Sequence, residues 1–157
     1  MVAAVFLHAE MPAPTLTRVK LSVRSDYAAR AVLGLARRAH LGKPVTVEDL
    51  ANSQHIPANF LVQILLELKA ANIVKSVRGK AGGYLLARSP AEITLGDLLR
   101  CVNTEIFDTP ALSDPSCPPE LQRAWLRLRT SAEAAAAAIN FQQLLEETAE
   151  KEKMYYI

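Results

Sequence analysis

The sequence predicts a mainly α-helical chain with one small β-hairpin and a long helix towards its C-terminal end. Three observations carry this. Apolar residues recur at three- and four-residue steps over several separate segments, as one face of a helix requires. Two short runs rich in Val, Leu and Tyr flank a glycine-rich turn, the pattern of a hairpin. From Leu121 to Ile139, apolar residues fall at alternating steps of four and three, the seam of a helix that packs along a partner.

Residues 1–18 read as a tail, because Pro12 and Pro14 break any helix there and no periodic pattern starts before Thr17. A start of translation at Val19 fits that reading. A first helix is expected from Ser25, with Ala28, Ala31, Val32, Leu35, Ala36 and Ala39 on its apolar face, ending at His40–Pro44. Thr46-Val47-Glu48-Asp49 is a capping-box sequence that opens a short second helix with Val47, Leu50 and Ala51 inward and an end near His55. Pro57, tolerated in a first turn where its missing N–H costs nothing, starts a third helix that runs to about Ala71. Its apolar stripe is Phe60, Leu61, Ile64, Leu65 and Leu68. Two helices joined by such a tight turn form a helix-turn-helix.

Ile73–Arg78 and Gly83–Ala87 are expected strands, with Gly79-Lys80-Ala81-Gly82 as the turn between them. A hairpin directly after the second helix of the pair makes a winged helix-turn-helix. The glycines do not form a phosphate-cradling nucleotide loop, which joins a strand to a helix and places Lys beside Ser or Thr. Thr94-Leu95-Gly96-Asp97 is a second capping box, opening a helix with Leu95, Leu98, Leu99 and Val102 inward. A polar, Pro-rich loop follows. The long helix begins at about Glu120, and its seam of Leu121, Trp125, Leu128, Ala132, Ala135 and Ile139 marks it for dimerisation. The other reading of that seam is a helix lying on its own domain. Asn140, with Gln143 three residues on, caps a last helix carrying Phe141, Leu144 and Leu145, with no pattern beyond about Lys151. The expected organisation is therefore a tail (1–18), a winged helix-turn-helix domain (19–103), a loop (104–119), and a dimerisation helix with a short terminal helix (120–150).

Charge is divided unevenly along the chain. Residues 18–90 hold twelve Lys/Arg and four Asp/Glu, a net +8, whereas residues 91–157 hold six and eleven, a net −5. The whole chain returns to +2 across 157 residues. The first half suits a polyanion, although ordinary surface solubilisation gives the same count. Half of the residues are hydrophobic and 22% are charged, a globular composition. No apolar run approaches the ~20 residues of a membrane helix, and the apolar start lacks the charge and cleavage pattern of a signal peptide, so a cytoplasmic location is expected. His8, His40 and His55 have no metal-ligand spacing, and Ser, His and Asp are too scattered to place a catalytic set on neighbouring elements.

Leu21–Ala28, Val74–Gly79 with Gly82–Ala87, and Ile93–Asp97 together resemble the Rrf-two family of bacterial winged helix-turn-helix transcription regulators. The resemblance covers roughly residues 19–145. It implies a homodimeric DNA-binding regulator, most often a repressor, whose long helix crosses its partner and whose two domains bind a partly palindromic operator in double-stranded DNA. It makes the helix from Pro57 the recognition helix, with Asn59, Phe60 and Gln63 towards the groove and Arg78, Gly79 and Lys80 at the wing tip. Gln pairs bidentately with adenine, Arg with guanine or phosphate, and an aromatic or alkyl edge packs on a thymine methyl. Ser22, Arg24 and Thr46 stand at helix starts, where phosphates are commonly held. Phe60 also lies on the apolar stripe, so core and groove both remain open to it. Many family members carry Glu-Gln where this chain has Val62-Gln63, so their base preference is not carried over.

The chain departs from the cluster-binding members of that family in the loop before the long helix, where those members place three cysteines and a further ligand. Aligned on Trp125, this chain has Ser113, Pro119 and Gln122 at three of the ligand positions. Its two cysteines, Cys101 on a helix and Cys117 out of register in the loop, do not complete an ordinary cluster ligand set. No iron–sulfur cluster and no other cofactor or metal is expected. Any redox sensing would run through these two thiols. The alternatives are a winged-helix module that binds an acidic protein and a cluster-dependent redox sensor. The effector, if there is one, is not legible.

Overall fold

A computed structural model describes residues 21–102 and 109–154. The expected tail, the start at Val19 and the first part of the 104–119 loop lie outside the described residues. Helix α1 (Val23–Arg38) starts two residues earlier than the apolar period announces, because Ser22 caps it: the Ser22 hydroxyl accepts from the Ser25 amide at 3.1 Å. Helix α2 (Val47–Gln54) is capped by the Thr46 hydroxyl, which accepts from the Asp49 amide. It ends on His55 in the left-handed conformation. Helix α3 (Ala58–Ala70) follows after a three-residue turn, with Pro57 at its N-cap rather than inside its first turn.

Strands β1 (Val74–Val77) and β2 (Gly83–Leu86) pair antiparallel, Val74 opposite Leu86 and Val77 opposite Gly83. The hairpin has a third participant that the sequence pattern does not announce. Val45 and Tyr84 exchange both backbone hydrogen bonds, at 2.8 and 2.9 Å, and tie the start of α2 to the wing. That contact requires glycine at 83: its φ is +152°, and a Cβ there would lie 2.4 Å from the Val45 carbonyl oxygen.

Helix α4 (Leu95–Cys101) carries a complete capping box, Thr94 Oγ1 accepting from the Asp97 amide and the Asp97 carboxylate accepting from the Thr94 amide, both at 3.1 Å. Burial alone would raise the Asp97 pKa. The Thr94 amide and hydroxyl, Arg100 and the charge of Arg88 outweigh it and hold the carboxyl below its usual 3.8. A folded-state pKa below the unfolded one gives stability that is present above about pH 4 and is lost as pH falls through the folded value. Asp97→Asn should therefore lower stability by about 1 kcal/mol at neutral pH. The gap to wild type should close below pH 4, as read by urea denaturation at both pH values.

Helix α5 (Pro119–Ala138) and helix α6 (Phe141–Met154) complete the fold. Between them Ile139 is extended backbone, so α5 ends one residue before this last position of the expected seam. Ile139 accepts from Leu95 and Phe141 donates to Ile93, a short antiparallel bridge that returns the chain to the domain. Phe141 is fully buried, in the same core as Ala28, Val32, Leu50, Leu61, Leu65, Leu68 and Leu98. Helix α6 packs on α1 and continues past the expected end at Lys151 to Met154. It packs on the winged domain, whereas the expected organisation groups it with the long helix.

Candidate nucleic-acid interface

The core fixes which side of α3 is free. Leu61, Ile64, Leu65 and Leu68 are buried against α1 and α2, and their stripe turns the opposite side outward. Asn59 and Gln63 are exposed on that outer side. Phe60 is settled by the structure: it is 52% exposed, outside the buried stripe, and its ring meets Tyr27 of α1 edge to face at 6.2 Å. Val62 and Leu66 share the outer surface, at 39% and 51% exposed, and were missed in the sequence. The signal was present, since neither fits the apolar stripe of α3, but only the observed burial separates the stripe from its neighbours.

The wing lies beside this surface. Lys69 near the end of α3 reaches Ser76 of β1 at 2.7 Å, fixing the hairpin to the helix. Arg78, Gly79 and Lys80 form the tip, all exposed. Gly79 has φ +112°, a conformation that an L side chain adopts only under strain. Among the described residues no carboxylate pairs with Arg78 or Lys80. Thr46, exposed, sits next to the Val45–Tyr84 bridge, so the N-terminus of α2 stands at the wing base.

Arg24, expected among the DNA contacts, has a partner within the chain. Arg24 is not a free cation at the start of α1: its guanidinium grips both carboxylate oxygens of Glu67 on α3, with Nε 3.3 Å from Oε2. Forked pairing of this kind holds orientation, and here it sets α3 against α1. Cys101 lies near the same pair. Burial pushes its thiol up, Glu67 adds to the rise and Arg24 opposes it. A raised thiol pKa means less thiolate at neutral pH, and the half-buried Cys101 packs against the core.

Helix α5 carries the expected dimer seam, but unevenly. Leu121 and Leu128 are 42% and 48% exposed and Ala135 is open, whereas Trp125 and Ala132 are half-buried on their own chain. The C-terminal part of α5 lies on α4, where a Cβ at Gly96 would come within 3.2 Å of Ala137. The helix thus uses one side within the chain and leaves a leucine-bearing side uncovered. The contact with α4 matches the reading of a helix that lies on its own domain, and the leucine-bearing side is exposed.

In the loop before α5, the positions that align with cluster ligands are otherwise engaged. Ser113 Oγ donates to the Pro110 carbonyl at 3.2 Å, Gln122 Nε2 donates to Leu112 at 3.1 Å, and Pro119 has no donor atom to offer a metal. Cys117 is half-buried with its sulfur 3.8 Å from the Pro118 carbonyl oxygen. Among the described residues no three His, Cys, Asp or Glu side chains gather into a metal-binding group. None of Ser113, Pro119 and Gln122 offers a thiolate at the aligned positions. A cleft of about 520 Å³ lies instead between Leu112, Ser113 and the Gln122, Leu126 and Arg129 side of α5. No helix among the described residues is long and apolar enough to cross a membrane.

A helix-turn-helix followed by a hairpin with an unpaired basic tip defines a winged helix-turn-helix protein. Residues 21–147 match the Rrf2 family model, described as an iron-dependent transcriptional regulator, and the chain belongs to that family. A protein of Mycobacterium tuberculosis named as an HTH-type transcriptional regulator is 45% identical over 85 residues, covering 54% of this chain and 52% of that one. The match thus spans about half the length of that relative. The HTH-type transcriptional regulator CymR of Bacillus subtilis is 27% identical over 87% of this chain and 97% of its own. Among solved structures, IscR of T. potens superposes with a TM-score of 0.71 at 29% identity, covering 87% of this chain and 96% of that one. The structure of CymR, the global cysteine regulator of B. subtilis, gives 0.72 at 26%, covering 82% and 97%.

Proposed function

We propose that the chain is a sequence-specific DNA-binding transcription regulator that acts as a homodimer on a two-part operator. The observation that carries this reading is the exposed amide-bearing side of α3, tied through the Lys69–Ser76 hydrogen bond to a hairpin whose exposed tip carries Arg78 and Lys80. Amides suit base edges and cations suit phosphates. Family membership supports the same reading, since relatives of this chain carry transcriptional-regulator names. Half-sites in the preferred duplex should be centred about 34–36 Å apart, or a multiple of that.

The test uses a duplex that the protein itself selects from a random pool, against a scrambled duplex at physiological salt. Arg78→Ala should weaken both by a similar factor and lower the salt slope by about one if it holds a phosphate. If it reads a base, the loss should be about 1–3 kcal/mol at one position of the selected duplex only. Equal affinity of the wild type for selected and scrambled duplexes would overturn the reading in favour of a module for an acidic protein.

This regulator works, in our reading, without an iron–sulfur cluster. The support is the engagement of Ser113 and Gln122 in local hydrogen bonds and a total of two cysteines in the sequence. Anaerobic reconstitution with iron and sulfide should leave desalted protein without visible charge-transfer absorption. Stoichiometric iron and sulfide that disappear in Cys117→Ser would refute it.

A further inference from the structure

The outer side of α3 holds more than amides. At about 100° per residue, Asn59, Gln63 and Leu66 stand opposite the buried stripe of Leu61, Ile64, Leu65 and Leu68, and Val62 flanks them. Val62 and Leu66 are one helical turn apart and therefore neighbours, 39% and 51% exposed. Two branched alkyl side chains alternate with two amides on one face, beside the basic wing. A partner for such a face is a polyanion that presents small apolar bumps among hydrogen-bonding edges. The major groove of DNA is that surface, and its bumps are the 5-methyl groups of thymine.

We propose that Val62 and Leu66 read thymine methyl groups on either side of the base pair contacted by Gln63. This rests on the DNA-binding reading above. A protein partner would require a continuous apolar patch, and the face does not offer one. Asn59 and Gln63 interrupt it, and Phe60, the remaining large exposed apolar residue of the first turn, stands on the far side of α3 against Tyr27. The two side chains are separated by about 6 Å along the helix axis, so the methyls they meet lie about two base steps apart.

The experiment replaces each thymine of the pool-selected duplex by deoxyuridine, one at a time, which removes the methyl and leaves every pairing edge in place. For the wild-type chain, one or two positions per half-site should lose about fourfold in affinity, the worth of one buried methyl. In the Val62→Ala/Leu66→Ala double variant those same positions should become insensitive. Both side chains are exposed, so its melting temperature should match wild type and report an intact fold. A wild type indifferent to methyl removal at every thymine would overturn the proposal, as would a selected half-site that lacks a preferred thymine. Sensitivity unchanged in the double variant would also overturn it. A pool with no enrichment at all would bring down the DNA-binding reading itself, and this one with it.

Discussion

Leu128→Glu is expected to convert a dimer into a folded monomer, with operator affinity falling by about 10²–10⁴-fold as the second half-site is lost. Leu128 is the central leucine of the uncovered side of α5 and is 48% exposed within one protomer. In a two-fold dimer the same patch meets itself, so one substitution places two carboxylates in the interface. Each would be buried without a cation, at a cost of several kcal/mol. No core contact of the protomer depends on Leu128, so the helical circular dichroism should survive. Leu126→Glu is the matched control. It is 45% exposed but lies about 160° around the same helix, on the side that lines the loop cleft. Sedimentation should find Leu126→Glu still dimeric. The opposite result, with Leu128→Glu dimeric and Leu126→Glu monomeric, would move the interface to the cleft side.

The elements that sequence reading placed well are those whose signals are local. Thr46 and Thr94 cap where their spacing to Asp49 and Asp97 says they should, because capping joins residues three apart. Asn140 likewise exchanges hydrogen bonds with Gln143. The wing was legible because its glycines and alternating strands are contiguous. What stayed hidden joins residues far apart in the chain. The Arg24–Glu67 pair spans 43 positions, and a charge at a helix start looks the same whether it is paired or free. The Val45–Tyr84 and Thr94–Asn140 bridges each involve too few residues to show a strand period. Of the candidate interface, the exposed positions of Asn59, Gln63 and the wing tip were legible. The exposure of Val62 and Leu66 was not, since an apolar residue on a helix announces burial until the packing shows otherwise.

Phe141→Ala is expected to be the most damaging single truncation for stability, costing about 3–5 kcal/mol. The ring is fully buried and is the largest side chain in the core. Its removal leaves a void between α6 and the helix-turn-helix core, which the surrounding leucines cannot close without leaving their rotamers. For a domain of this size the melting temperature should fall by roughly 6–20 °C. The effect reaches function through the chain path. Phe141 follows directly on the Thr94–Asn140 bridge, where the Phe141 amide donates to Ile93 at 3.0 Å and Leu95 donates to Ile139 at 2.9 Å. These bonds fix the C-terminal end of α5 to the domain that carries α3. Loosening them should free the angle between the dimer helix and the recognition helix while leaving the α5 seam intact. Phe141→Ala should therefore remain dimeric below its lowered melting temperature, yet tolerate a wider range of half-site spacings than wild type. Hydrogen exchange should quicken at Leu95 and Phe141 first. A loss below about 1 kcal/mol with unchanged exchange would show that α6 is a peripheral attachment rather than part of the core.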